Sequence, residues 1–159
     1  MNITREKRKQ YLIRRRQNYN VEDGMYQYTI SNTEIKSNVP TNNGIATDII
    51  TIMFNLTNET NKTQTNLSVK YNSFLKDYNS SKRFYYFLNI VERAYKNTTM
   101  YDEIFPTPDE FNVEALSKTS GTLEVKNNEY NGKKYSNISE IFPNMLEDTI
   151  EINSSVEIL

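Results

Sequence analysis

Seven cations crowd the first twenty residues, Arg5, Lys7, Arg8, Lys9, Arg14, Arg15 and Arg16, against the single acid Glu6, a net charge of +6. Such a run does no covalent chemistry. It pairs with phosphates and releases their condensed counterions, an entropic drive that reads no sequence. A second set combines rings with charge. Lys70 precedes Tyr71, and Tyr130 and Tyr135 flank Lys133 and Lys134. Tyr26 and Tyr28 stand on an alternating segment nearer the N-terminus. Rings on a sheet face with cations beside them stack single-stranded bases, at about 1–3 kcal/mol per base. The seven arm cations with Lys70, Tyr71, Tyr130, Lys133, Lys134 and Tyr135 form the candidate DNA-binding set. Tyrosines at alternate strand positions equally suit a core or a barrel rim.

The other route to chemistry is through carboxylates. Asp102-Glu103 and Asp109-Glu110 bracket Pro106 and Pro108. Two-metal catalysis needs acids held rigidly about shared ions, and the polar loop expected here offers no strand to hold them. The chain has no Cys and no His. That removes disulfides, a thiolate nucleophile, the commonest general base and the commonest transition-metal ligand. Neither a Gly-x-x-x-x-Gly-Lys phosphate loop nor a Gly-x-Gly-x-x-Gly turn is present. The expectation is a binding protein and no enzyme, with no cofactor and no metal.

The 159 residues are 36% hydrophobic and 25% charged, with 12 Tyr, 7 Phe and no Trp, enough for one modest core and long polar stretches. Beyond residue 20 the chain carries 12 basic and 19 acidic residues, a net of −7, so the basic arm precedes an acidic body. This asymmetry concerns partners rather than fold. No apolar run approaches the roughly 20 residues of a membrane span, and the start lacks the apolar core of a signal peptide. The expectation is a cytoplasmic protein without membrane contact, in which Asn-x-Ser/Thr triplets such as Asn55-Leu56-Thr57 reflect an Asn-rich composition.

These side chains need elements to position them. Residues 1–20 read as an arm, residues 21–143 as the folded domain and residues 144–159 as an acidic tail. Alternation predicts strands over Met25–Ser31, Ala46–Leu56 and Thr63–Tyr71, with a turn-rich loop over Asn38–Gly44. The period then changes. Phe84, Phe87, Leu88, Val91, Ala94 and Tyr95 recur at helical spacing after an N-cap at Ser80 or Ser81, predicting a helix of about 15 residues. Lys82 and Arg83 then fall in its first turn, where the helix dipole disfavours cations. A loop over Asn97–Thr107, with a helical turn within Glu110–Leu116, leads to strands over Gly121–Tyr130 and Lys134–Phe142. Asn131-Gly132 between them is the strongest short hairpin signal. Ile150-Glu151-Ile152 has the pattern of a further strand. Three strands, a helix and a hairpin is the order of an OB-fold, a five-stranded barrel with its helix between strands three and four. A mainly antiparallel sheet with one helix on its face has the same element order.

Ser117-Lys118-Thr119-Ser120-Gly121-Thr122-Leu123-Glu124-Val125, followed by Glu129-Tyr130-Asn131-Gly132-Lys133-Lys134-Tyr135, resembles the closing hairpin of the small single-stranded-DNA-binding proteins of bacteriophages and conjugative plasmids. Glu22-Asp23-Gly24-Met25-Tyr26 is similar to that family's acidic-Gly opening of strand one. The likeness spans about residues 22–143. It implies an OB-fold and sequence-tolerant binding of single-stranded DNA in replication, recombination or transfer. The basic arm and the long stretch around 97–116 depart from the family pattern. Two other readings stay open: a protein-interaction module or host-enzyme inhibitor whose arm docks an acidic partner, and an RNA-binding OB domain. Tyr11, Leu12 and Ile13 suit contact with a neighbouring protomer, giving a homo-oligomer through the arm. The acidic tail with its apolar tip suits recruitment of replication or transfer proteins.

Overall fold

The computed structural model describes residues 20–40, 44, 46–73, 78–130 and 132–144. The arm cations, most of the tail, the strand expected at Ile150–Ile152 and Asn131 lie outside the described residues. Five strands form one antiparallel sheet in the order β3-β2-β1-β4-β5. They are β1 (Gly24–Val39), β2 (Thr47–Asn58), β3 (Gln64–Ser73), β4 (Ser120–Tyr130) and β5 (Lys133–Pro143). The helix α1 (Tyr78–Tyr95) connects β3 to the region before β4. Two short helical segments follow, α2 (Tyr101–Ile104), inside the stretch expected to be a loop, and α3 (Val113–Ser117), where a helical turn was expected.

The sheet is not closed into a barrel. β3 and β5 run in the same direction at its two edges, and among the described residues no ladder joins them. α1 lies over this opening, contacting both β3 and β5. Its Phe84, Phe87, Ile90, Val91 and Tyr95 are buried, on a core with Ile52, Phe54, Leu56, Leu67, Val69, Leu123 and Val125. The helix begins at Tyr78, ahead of the expected cap at Ser80 or Ser81, which moves Lys82 and Arg83 into its second turn. The dipole at the helix start therefore penalises them less.

β1 runs sixteen residues, well past its expected end at Ser31. Its outer half, Asn32–Val39, pairs only with β2, in a two-stranded ribbon that also absorbs the start of the expected loop at Asn38. A bulge between Ile30 and Asn32 breaks the alternation. Before it, Tyr26 and Tyr28 face the core; after it, Thr33 and Ile35 stand opposite the buried Ile52 and Ile50. One extra residue inverts every later side chain.

Residues 97–116 are fastened to the core by a few buried groups set between exposed ones. Ile104 is fully buried, and its carbonyl accepts from Asn112 N–H at 2.8 Å. Phe111 meets Phe105 at 5.7 Å and Phe84 at 6.1 Å between ring centroids. Asn112 caps α3 by accepting from Ala115 N–H at 3.3 Å. α3 leads into a buried chain of hydroxyls. Thr119 Oγ1 donates to Leu116 O at 2.7 Å, which leaves it free to accept from Tyr28 Oη at 3.2 Å. Tyr28 Oη in turn accepts from Tyr95 Oη at 2.8 Å.

At the far end of the hairpin, Gly121 faces Pro143. A Cβ there would collide with the Phe142 carbonyl and come within 3.0 Å of Pro143 Cα. Gly121→Ala is therefore expected to cost about 1–3 kcal/mol, as overpacked sites do, in a urea melt. Burial, with the neighbouring Tyr95, pushes the Tyr28 phenol well above its ordinary value. The folded state holds it neutral, so this contribution is intact below about pH 10 and is lost as pH rises past that value. The melting temperature should fall above about pH 10, read by thermal melts across a pH series.

Candidate nucleic-acid interface

Arg83 sits where the two free edges approach. Its Nη1 donates to Lys70 O on β3 at 3.3 Å, and its Nη2 donates to Ser136 O on β5 at 3.2 Å. Nε completes the clamp on Asn137 Oδ1 at 2.7 Å. A planar guanidinium with five fixed donors can hold three acceptors on two strands at once, which a lysine ammonium on a flexible stem cannot. The same group lies 5.4 Å from the Tyr71 ring centroid and 5.3 Å from that of Tyr135. Tyr71 stacks on Phe87 at 4.9 Å, so the seam holds a pile of Phe87, Tyr71, Arg83 and Tyr135. Burial pushes the Tyr71 phenol up, and the Arg83 charge opposes the shift.

A cleft of about 430 Å³ opens at this seam, lined by Lys70, Tyr71, Asn72, Arg83, Phe84, Asn128, Tyr135 and Asn137. Its charged lining is entirely positive. Three of the sequence-predicted residues, Lys70, Tyr71 and Tyr135, thus meet around one opening. Tyr71 does so as a wall and not as a platform. It is only 3% exposed, covered by Phe87 and Arg83, which corrects its expected role in stacking on bases. Tyr26 and Tyr28 are corrected likewise, because both are core residues. Tyr135 is half-buried at the rim, and Lys70, Lys133 and Lys134 are exposed. Tyr130 ends β4 opposite Lys133.

The root of the basic arm is fastened beside the same seam. Val21 N–H donates to Ser136 Oγ at 2.8 Å, and Ser136 Oγ donates to Asn127 Oδ1 at 2.5 Å. Asn127 Nδ2 returns bonds to Val21 O at 2.7 Å and Asp23 Oδ1 at 2.6 Å. Those Asn127 bonds, aided by the charges of Lys134 and Lys126, hold the Asp23 carboxyl below its usual range. Ser136 therefore joins the arm root, through its hydroxyl, to the Arg83 clamp, through its carbonyl.

A second and larger concavity, about 1110 Å³, crosses the outer face of all five strands. One row of register partners runs Gln64, Thr57, Gln27, Thr122 and Phe142. The next runs Asn66, Asn55, Thr29 and Ser120, extended by Asn144 N–H donating to Ser120 O at 2.9 Å. No lining side chain carries a formal charge. Amides and hydroxyls offer donors and acceptors side by side, and Phe142, 52% exposed, adds a flat apolar surface at one end. Sequence reading missed Phe142 and this trough. The adjacent Ile141-Phe142 pair was the available signal, since neighbouring residues of a strand cannot both face inward.

Asp102, Glu103, Asp109 and Glu110 are exposed, and among the described residues no group of three potential ligands is placed to hold a metal ion. Also among the described residues, no helix is long and apolar enough to cross a membrane. Compared with protein-family models and with characterised proteins, the chain matches none.

Arg83→Lys keeps the charge and loses the three-way clamp. We expect it to lower stability by about 1.5–3 kcal/mol, the range for bonds to a charged group, read by thermal or denaturant melts. Arg83→Gln should not be milder, because it loses the charge as well.

Proposed function

We propose that this protein binds single-stranded DNA with little sequence preference and catalyses no reaction. The observation that carries the reading is the convergence of Lys70, Arg83 and Tyr135 on a positive, ring-lined cleft beside the fastened root of the basic arm. Arm cations Arg5, Lys7, Arg8, Lys9, Arg14, Arg15 and Arg16, with Lys70, Lys133 and Lys134, take phosphates. Tyr135 and Phe142 offer rings for stacking, and the uncharged trough offers amides and hydroxyls to whichever bases arrive. That division suits sequence tolerance, because stacking and phosphate contacts carry no base code. The strand order, with α1 between β3 and β4, supports an OB-type barrel whose final seam is spanned by a side chain instead of a ladder. An acidic body with a cationic arm also accounts for how a chain of net charge −1 engages a polyanion at all.

The test is a labelled oligonucleotide titrated at several salt concentrations. With five to seven cations engaged, the slope of log affinity on log salt should be roughly −3.5 to −5. Removing residues 1–20 should flatten it. Phe142→Ala should weaken binding by about 1–3 kcal/mol without changing the slope. Absence of binding at low salt, or equal affinity for duplex DNA, refutes the proposal. Competition by RNA of the same sequence decides between DNA and RNA. A complex from host lysate that survives nuclease treatment would favour the protein-partner reading.

A further inference from the structure

The outer half of β1 is a free edge. β4 pairs with β1 only from Gly24 to Thr29, and beyond that point, among the described residues, nothing pairs with this side of the strand. Such an edge presents unpaired N–H and C=O groups to any strand that comes alongside. It also carries an apolar residue out of place. The bulge before Asn32 turns Ile35 to the core side of the sheet, opposite the buried Ile50, yet Ile35 is 54% exposed because no strand or helix covers it.

The residues around Ile35 are complementary to themselves. They read Thr33-Glu34-Ile35-Lys36-Ser37, with one acid and one base placed symmetrically about the isoleucine. We propose that two copies of this protein associate through this edge, β1 against β1 in antiparallel order about a two-fold axis at Ile35. A two-fold interface brings one patch against itself, so each contact between unlike residues occurs twice. Ile35 then faces the Ile35 of the second copy. Glu34 of each copy faces Lys36 of the other, and Thr33 faces Ser37. The two faces of the joined strands separate these contacts. The isoleucine pair and the hydroxyl pairs lie on the core side, and both ion pairs lie on the outer side.

Charge also selects the register. Within one chain, Lys36 Nζ and Glu34 Oε1 are 3.8 Å apart and well exposed, so both groups reach the outer surface of the edge. Sliding the partner by two residues sets an acid or a base opposite an uncharged residue, and parallel pairing in register sets like against like. The join makes one ten-stranded sheet from two five-stranded ones. It uses neither the arm nor the seam, so its success or failure is separate from that of DNA binding.

The experiment is sedimentation of the full chain, freed of nucleic acid in high salt and then returned to low salt, across a concentration series. The expected result is a dimer, twice the chain mass, that weakens as the chain is diluted. Lys36→Glu and Glu34→Lys should each give monomers, because each sets like charges opposite one another twice. Mixing those two variants should restore a dimer, since an all-acidic edge then meets an all-basic one. The double variant Glu34→Lys/Lys36→Glu should also dimerise. A full chain that stays monomeric, including one whose own residues 145–159 occupy this edge, overturns the proposal. So does a dimer that neither single variant disturbs, or one that disappears on removal of residues 1–20. Both substitutions are at exposed positions, and restoration on mixing excludes misfolding as the cause of a monomer.

Discussion

Two parallel strand edges that come close without pairing set the terms for the rest of this molecule. Had β3 and β5 joined, their backbone groups would be consumed in a ladder. Instead α1 is wedged over the gap, its Phe84 and Phe87 filling the interior and Arg83 reaching across. Backbone carbonyls at a strand edge need partners, and here a guanidinium donates to one on each edge at once. The helix phase is therefore coupled to the strand positions. Phe87 has to reach the core from the same helix that places Arg83 at the seam, four residues earlier and about one turn away.

The incomplete closure also gives the chain its positive cleft. A closed sheet would leave Tyr71 and Tyr135 as ordinary barrel side chains. The gap instead places a cation between them and leaves space for Lys70 to border. Ser136 connects this to the arm, since one residue anchors Val21 and accepts from Arg83. In the proposed function this linkage matters more than any single ring. It ties the root of the basic segment, at Val21, to a fixed place on an otherwise acidic body.

Much of this was legible in the chain. The alternations over β2 and β3 and the helical recurrence from Phe84 to Tyr95 rest on apolar periodicity, each reporting on one buried face, whereas the hairpin at Gly132 rests on turn chemistry. The outer half of β1 was not legible because it is exposed on both faces, so no alternation marks it. The bulge at Ser31 was hidden for the same reason. Residues 97–116 read as a loop because their buried Ile104 and Val113 and half-buried Phe105 and Phe111 follow neither period; they pack as short turns against the core. Tyr71 shows the limit for the site. Its lysine neighbour suggested a platform, whereas its strand parity placed it inward, and parity prevailed. Arg83 was noticed only as a charge misplaced on a helix. Its reach to two edges follows from tertiary distance, which spacing along the chain does not carry.

The bulge between Ile30 and Asn32 sets a counting rule for change in the ribbon. Because side chains alternate with a period of two and Ser31 is the extra residue, deleting it would restore a regular ladder, with Ile35 still opposite Ile50 on the core side and Glu34 and Lys36 still on the outer one. Paired insertions or deletions would preserve the faces and alter only length. Beyond the bulge the outer half of β1 can therefore grow or shrink in steps of two with its surface chemistry conserved, whereas odd steps invert the side chains that follow.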